Sequence, residues 1–289
     1  MALNPTGRAP SFLPQVAAEL HKTFAQPRTW AGFGILAVMA AMLFLLCSLE
    51  PVRDLLSRSV SQLGCDPARY LTGLTYALLA LRATMLLIGA LFIALVAGES
   101  VAREVDDGSM RMLLCRPVSR FRVLAVKAVA ALIHTFLLTG FLGFVALGLG
   151  LLFHRAGGML AFDPLEKLDA IYDFLPGLAR YFLAVLLLAL SLSSVTAAAF
   201  ALSCFNLRPA AAAVGALSPF FMDYVLRRLP FFSSIQSYFL TAKMGVWLQV
   251  FQPAIPWYRL LNDYTLLLAL DASLFVIAWA HFERRDLKP

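Results

Sequence analysis

Residues 123–153 read VLAVKAVAALIHTFLLTGFLGFVALGLGLLF, and the architecture of the whole chain follows from this stretch. Its one charged residue is Lys127, and nearly all its other positions are apolar or glycine. About 20 apolar residues are enough for an α-helix to cross the hydrocarbon core of a bilayer. The stretch therefore predicts a transmembrane helix.

The overall composition has the same character. Of the 289 residues, 61% are apolar and 14% are charged, and the mean hydropathy is +0.78. Soluble domains average about 45–50% apolar and about 25% charged residues. This composition excludes a cytosolic enzyme, a disordered chain and a disulfide scaffold. Once the membrane spans are placed, no room remains for a soluble catalytic domain of about 100 residues.

We expect an all-α, polytopic membrane protein with six transmembrane helices in a single transmembrane domain over residues 1–289. Apolar runs long enough to cross a bilayer define the spans. In chain order they are predicted at 30–49, 74–101, 123–153, 179–203, 210–226 and 261–282.

The distribution of basic residues predicts the orientation. Residues 103–127 carry six Lys and Arg in one short connection, whereas the loops on the other side spread theirs over longer segments. Cytoplasmic loops are enriched in Lys and Arg, so this connection and both termini are predicted to be cytoplasmic. The net charge of +7 is attributed to these loops, and no nucleic-acid partner is expected. The positions of the four cysteines predict neither an intrachain disulfide nor a cysteine metal site.

An amphipathic helix is predicted ahead of the first span, at residues 10–27. Apolar residues recur there at three- and four-residue spacing, and Pro14 and Pro27 mark its two ends. We interpret it as an elbow helix lying in the inner interface. A solvated linker is the alternative.

The three outer loops differ in composition. Residues 50–73 and 154–178 mix charged and apolar side chains, which indicates short surface helices. Residues 227–259 are rich in aromatic residues and proline. That density favours the headgroup zone or a re-entrant segment. An interfacial helix without a transport role is the alternative.

The most specific stretch is the inner connection 98–120, GESVAREVDDGSMRMLLCRPVSR. Gly108 is expected to end one helix and Pro117 to end a short amphipathic helix that follows it. Apolar side chains fall on one face of that short helix and arginines on another. A solvated basic loop is the alternative, but it does not explain the ordered glycine, double leucine and proline.

These residues resemble the permease subunits of ABC-2 type ABC transporters. Members of that family carry, after the second span, a Glu, a Gly followed by Ser or Thr, a pair of leucines, a Pro, and Ser-Arg before a downstream Lys. The matching positions here are Glu99, Gly108, Ser109, Leu113, Leu114, Pro117, Ser119, Arg120 and Lys127.

The resemblance implies that residues 102–120 form a cytoplasmic coupling region, whose short helix, the coupling helix, docks on a separate ATPase subunit. It implies the following ATPase-coupling residues: Glu99, Arg103, Glu104, Gly108, Ser109, Met110, Arg111, Leu113, Leu114, Pro117 and Arg120. It also implies two ATPase copies, a second permease subunit in a homo- or heterodimer, export, and residence in the bacterial cytoplasmic membrane. The sequence contains no Gly-x-x-x-x-Gly-Lys-Ser/Thr loop, so no cofactor is expected on this chain and ATP is assigned to the separate subunit.

Two charges interrupt predicted spans, Arg82 in the second and Asp271 in the sixth. Charges within a span usually face a partner or the bundle interior, because a charged side chain at its centre costs about 2.5–3.5 kcal/mol. We therefore predict an intramembrane Arg82–Asp271 ion pair. The alternatives are that Arg82 extends to the outer surface and that Asp271 faces a hydrated cavity.

Other candidate features have weaker support. His134 and His154 lie near opposite ends of the third span and cannot share a metal, so no metal site and no catalytic residue are predicted. Small residues in the third and fifth spans permit close helix approach. Pro219 should kink the fifth span, which makes that span our preferred element for a subunit interface or translocation path. Packing within the subunit is the alternative.

Two other functional classes remain open beside a permease. A lipid-modifying membrane enzyme would need carboxylate clusters for Mg²⁺, and the acidic pair Asp106-Asp107 lacks further acids at helical spacing. A non-transporting membrane partner of an ABC ATPase, with a signalling or mechanical role, would share the same fold. The sequence does not identify a cargo, although its aromatic content favours an amphipathic or lipid-like substrate.

Overall fold

A computed structural model describes residues 11–62, 70–108, 119–163, 168–205 and 207–284. Its α-helices are α1 Phe12–Phe24, α2 Pro27–Ser48, α3 Glu50–Gln62, α4 Gly73–Thr84, α5 Ala90–Asp106, α6 Arg120–Phe153, α7 Phe174–Ser203, α8 Pro209–Arg227, α9 Leu240–Met244 and α10 Trp257–Arg284. A π-helical turn, Met85–Gly89, joins α4 to α5, and 3₁₀ helices cover Pro230–Tyr238 and Gly245–Phe251. Two strands, β1 Met159–Asp163 and β2 Leu168–Tyr172, pair antiparallel.

Within these ranges, five helices are long and apolar enough to cross a membrane: α2, α6, α7, α8 and α10. The chain is thus an integral membrane protein. The span expected at 74–101 is helical throughout, but the π-turn divides it into α4 with 12 residues and α5 with 17. Each part is shorter than the about 20 residues of a usual crossing. A hydropathy profile cannot reveal the extra residue that a π-turn inserts, because the turn changes the hydrogen bonding and not the composition.

The structure of the second outer loop, residues 154–178, differs from the short surface helix that we predicted there. The strands Met159–Asp163 and Leu168–Tyr172 form an antiparallel pair, the hairpin, rather than a surface helix, with Leu160 opposite Ile171 in the register. The hairpin is fixed to the start of α4, where Thr72 Oγ1 donates to Gly158 O at 2.6 Å and Leu160 N donates to Thr75 Oγ1 at 3.0 Å. This docking, together with the helix-breaking pair Gly157-Gly158, favours strands over a helix.

Helix α7 lies at the centre of the bundle. Of its most apolar window, 61% is buried, against 17% for α8 and for α10. It packs against α5, α6, α8 and α10. Polar contacts between helices add to this packing: Thr135 and Thr196 hydroxyls lie 2.7 Å apart, and Tyr181 Oη donates to Gly143 O at 2.9 Å. Such contacts matter in a bilayer because hydrophobic burial does not by itself hold membrane helices together.

Small residues bring two helix pairs into backbone contact. A Cβ added at Gly150 of α6 would lie 2.3 Å from Gly73 O of α4. A Cβ at Gly98 of α5 would lie 3.1 Å from Ala213 N of α8. The alanines at 212, 213 and 216 are buried on that face of α8. Gly150 of the third span and Ala212, Ala213 and Ala216 of the fifth thus serve packing within the subunit.

The Gly150→Ala substitution tests this close approach. The added methyl group meets backbone rather than a movable side chain, so we expect a loss of about 1–3 kcal/mol of stability. Thermal unfolding in lipid nanodiscs measures it. Gly148→Ala is the matched control, because a Cβ there has no neighbour within 4 Å. Equal melting temperatures for the two variants would contradict the packing argument.

Candidate functional site

The structure describes five of the residues that the resemblance assigned to ATPase coupling. Glu99, Arg103 and Glu104 lie on the last turns of α5, Gly108 follows that helix, and Arg120 begins α6. Outside the described residues lie Ser109, Met110, Arg111, Leu113, Leu114 and Pro117. The described residues thus flank residues 109–118 on both sides. We refer to residues 109–118 as the coupling segment, after the role that the resemblance implies.

Lys127 is the centre of a charged cluster at the end of the bundle next to the coupling segment. We call it the inner cluster. Its side chain is only 2% exposed, and its Nζ lies 2.7 Å from Glu104 Oε1 and 3.1 Å from Glu19 Oε2. The two carboxylates come from α5 and α1, so one ammonium group on α6 joins three helices. A buried charge is tolerated only when it is paired in this way.

Two further ion pairs extend this inner cluster. Lys22 of α1 donates to the same Glu104 oxygen, and Arg28 in the first turn of α2 pairs with Glu99. Lys22 and Arg28 are 51% and 42% exposed, so these outer pairs add less stability than the buried Lys127 contacts. The helix predicted as an elbow is therefore attached to both helices that flank the coupling segment.

The electrostatics of Glu104 follow from its neighbours. Burial raises the pKa of its carboxyl, but the ammonium groups of Lys127 and Lys22 outweigh burial and hold the pKa below the ordinary value. Glu104 is consequently ionised in this structure, and its charge is balanced inside the protein.

A polar cavity of about 50 Å³ lies within the inner cluster. Its lining includes Glu99, Arg103 and Glu104 of α5 and Glu19 of α1. In the described part of the chain, Glu99 Oε2 and Arg103 Nη1 are buried without a hydrogen-bond partner. A cavity of this size with such groups can hold water, which would satisfy both atoms.

Gly108 ends α5 in the left-handed conformation, with φ at +69°. Its N–H donates to Val105 O at 3.1 Å, and Asp107 N donates to Arg103 O at 2.8 Å. This geometry is a usual glycine termination of a helix. Gly108 thus ends α5 immediately before the coupling segment.

Arg120 does not extend freely from the start of α6. Its guanidinium donates to Glu283 O at 3.0 Å and to Phe282 O at 3.4 Å, where it caps the C-terminus of α10. The beginning of α6 and the end of the last helix are therefore held together.

Four residues of this cluster are not among the coupling residues predicted from the sequence: Glu19, Lys22, Arg28 and Lys127. One signal was available: Lys127 is the single charge in an otherwise apolar span, and such a charge usually has a buried partner. The partners on α1 could not be found this way, because they lie more than 100 positions away from Lys127 in the chain.

The outer loop 227–259 contains a second ordered arrangement. Arg180 of α7 donates to Val250 O, to Gln252 O at 2.6 Å and to Pro253 O at 3.2 Å. Tyr172 Oη donates to the intervening Phe251 O at 2.8 Å. The segment Gly245–Phe251 is thereby inserted into the bundle, with Trp247 and Phe251 buried in the core.

The structure does not bring Asp271 to Arg82. Asp271 of α10 contacts Ser193 of α7, at 2.6 Å between Oγ and Oδ2, and Arg82 lies half-buried on α4. Among the described residues, the ion pairs do not include Arg82–Asp271. This pair has no structural support and stays a prediction.

The residues that could bind a metal are dispersed. His134 packs against the rings of Phe24 and Phe33, and His154 packs against Tyr76. Over the described ranges, no group of three or more His, Cys, Asp or Glu side chains is arranged to hold a metal ion.

Comparison with known families gives one match. A family model described as ABC-2 family transporter protein matches residues 15–287. Curated proteins and solved structures gave no match. The family match spans the inner cluster, the coupling segment and every helix from α2 to α10.

The Glu104→Gln substitution tests the inner cluster. Removing this carboxylate leaves the buried Lys127 ammonium with Glu19 alone, so we expect a loss of about 1–3 kcal/mol. Thermal unfolding in nanodiscs measures it. Asp107→Asn is the control: its Arg103 contact is 3.6 Å long and Asp107 is 63% exposed, so it should change stability by about 0.5 kcal/mol or less. Equal losses of stability in both variants would show that the buried contacts of Lys127 do not determine the stability of this cluster.

Low pH should remove the stabilisation that the Glu104 carboxylate provides. Because the pKa of Glu104 is lower in the folded protein, its stabilisation is complete above the ordinary glutamate pKa of 4.5 and is lost as pH falls through the folded value. The stability difference between wild type and Glu104→Gln should therefore shrink as pH falls below 4.5. Unfolding measured across an acid series gives this difference. A difference that is independent of pH would refute the assigned ionisation.

Proposed function

Because this chain belongs to the ABC-2 family of transporter proteins, as its match over residues 15–287 shows, we propose that it is the membrane-spanning permease subunit of an ATP-driven exporter. In this proposal two permease subunits form the translocation path. Two copies of a separate ATPase bind ATP and drive them.

The position of Lys127 is the observation that best supports coupling between the permease and the ATPase. This one residue ties α6 to α5 and α1, and α5 and α6 are the helices on either side of the coupling segment. A displacement of that segment by an ATPase would move these helices together as one body. Arg28 and Glu99 extend the connection to the first span. Such rigid-body transmission is one of the ways in which domains switch between two states.

The proposed topology has six spans. Helices α4 and α5, with the π-turn between them, form the second, and α2, α6, α7, α8 and α10 form the others. The basic residues of the inner cluster belong on the cytoplasmic side, which places both termini there. Helix α1 then lies at the inner interface as the elbow, and the segment Gly245–Phe251 lies at the outer side. The membrane proposed is the bacterial cytoplasmic membrane.

Helix α8 is the preferred contact for the second permease subunit. One face packs on α5 through Ala212, Ala213 and Ala216. The opposite face exposes Val214, Phe221 and Met222, and Pro219 lies inside the helix. An exposed apolar face is expected in a bilayer, so this assignment rests also on the pairing of permeases proposed for the transporter.

The experiment is reconstitution with the cognate ATPase. The chain is co-expressed with candidate ABC ATPases from its own genome and purified in nanodiscs. Retention of that ATPase and stimulation of its activity by the permease are expected. Transport into inverted vesicles distinguishes an exporter from a membrane partner that only relays a signal, which would keep the stimulation without moving a cargo. Failure to retain any ATPase would overturn the proposal.

Gly108→Ala gives the residue-level test. Alanine in the left-handed conformation costs about 1–2 kcal/mol, so the coupling segment should leave α5 in a different direction. We expect the stimulated ATPase activity to fall roughly five-fold, a ratio that corresponds to about 1 kcal/mol. Gly140→Ala is the control, because a Cβ there meets nothing within 4 Å and the φ angle of Gly140 is ordinary. Unchanged stimulation in Gly108→Ala would contradict the assigned role.

A further inference from the structure

Asp271 is an acidic residue near the middle of α10, a helix apolar enough to span the membrane. It is the only charged residue between Tyr264 and His281. An ionised carboxylate at such a depth is unfavourable unless a cation or several donors neutralise it. The surroundings of Asp271 therefore reveal its protonation state.

The hydroxyl of Ser193 makes two short contacts. Its Oγ lies 2.7 Å from Leu190 O and 2.6 Å from Asp271 Oδ2. A serine hydroxyl has one hydrogen, and a backbone carbonyl can only accept. If Ser193 donates to Leu190 O, as serines in helices often do within their own turn, the hydrogen between Ser193 and Asp271 must come from Asp271. Both contacts are then hydrogen bonds only when the acid is protonated.

The other polar atoms around Asp271 lead to the same conclusion. Asp271 Oδ1 is buried and makes no hydrogen bond of ordinary geometry among the described residues, although the hydroxyl of the neighbouring Ser194 lies close enough to act on the carboxyl. A carboxylate with one unsatisfied oxygen is far more costly to bury than a neutral acid with a free carbonyl oxygen.

No cation is left to neutralise Asp271 from the elements packed against α10, which are α6, α7, α9 and the segment Gly245–Phe251. His134 of α6 is surrounded by aromatic rings. The other charged or titratable side chains described on α6, α7 and α9 have partners elsewhere: Arg120 with Glu283 O, Arg122 with Gln15, Lys127 with Glu104, Arg180 with Gln252 O, Tyr181 with Gly143 O and Lys243 with Asp263.

We propose that Asp271 is a proton-binding site within the membrane-spanning region, a neutral carboxylic acid that donates to Ser193 while α7 and α10 are packed together. The proton is part of the contact between the two helices. When α7 and α10 separate and water enters, Asp271 Oδ2 gives its proton to water and becomes a carboxylate. Opening of this helix pair is thus linked to proton release, and proton binding favours the packed state. This property does not depend on the proposed transport function.

Infrared difference spectroscopy of the full chain in nanodiscs tests the proposal. At neutral pH the wild-type protein should show the carbonyl stretch of a protonated carboxylic acid, and Asp271→Asn should lose it. The matched control lies on the same helix: Asp263 is buried and pairs with Lys243 at 2.6 Å. Asp263→Asn should leave the band unchanged. A wild-type spectrum identical to that of Asp271→Asn would overturn the proposal.

Ser193→Ala provides a second measurement that preserves the acid. Loss of the acceptor should shift the band to higher frequency without removing it. A hydrophobic carbodiimide, which adds to protonated carboxyl groups in membranes, should label Asp271 and leave Asp263 unlabelled, as mass spectrometry of the peptides would show. A band that neither variant alters would show that Asp271 is ionised.

Discussion

The ammonium group of Lys127 is the constraint on which the inner half of the bundle depends. It lies within an apolar helix and is almost completely buried, so it requires carboxylates. Glu104 and Glu19 supply them from helices on either side. The other contacts that hold α1 against the bundle are the buried Val16, the ring of Phe24 against Phe33 and His134, and the hydrogen bond from Arg122 to Gln15. The charge therefore positions α1 and fixes the end of α5 beside the beginning of α6.

The outer half is held by backbone carbonyls rather than by ion pairs. Arg180 and Tyr172 together donate to four successive carbonyls, those of residues 250–253. These carbonyls end a 3₁₀ helix and would otherwise be unsatisfied near the apolar core. Between the two ends, glycine contacts and hydroxyl pairs keep the helices close. The bundle thus has a charged attachment at its inner end and a hydrogen-bonded one at its outer end.

The positions of the helices were largely predictable, whereas the partners of their polar residues were not. The apolar run at 123–153 corresponds to α6, and the run at 179–203 lies within α7. Hydropathy could not indicate the π-turn at Met85–Gly89, since that turn changes hydrogen bonding without changing composition. The hairpin at 159–172 was wrongly expected to be helical, because its strands are stabilised by docking on α4. Glu104 was assigned to an ATPase contact, and the structure places it against Lys127.

The sequence by itself determined the location in a membrane, the approximate limits of most apolar helices and the family, because these depend on local composition and on residues close together in the chain. Only the tertiary structure decided which charges meet, which small residues allow backbone contact and where the outer loop enters the bundle. These contacts join residues that are far apart in the chain, for example Glu19 with Lys127 and Ser193 with Asp271. Their free energy depends on burial and on donor–acceptor geometry, which exist only after the helices have packed.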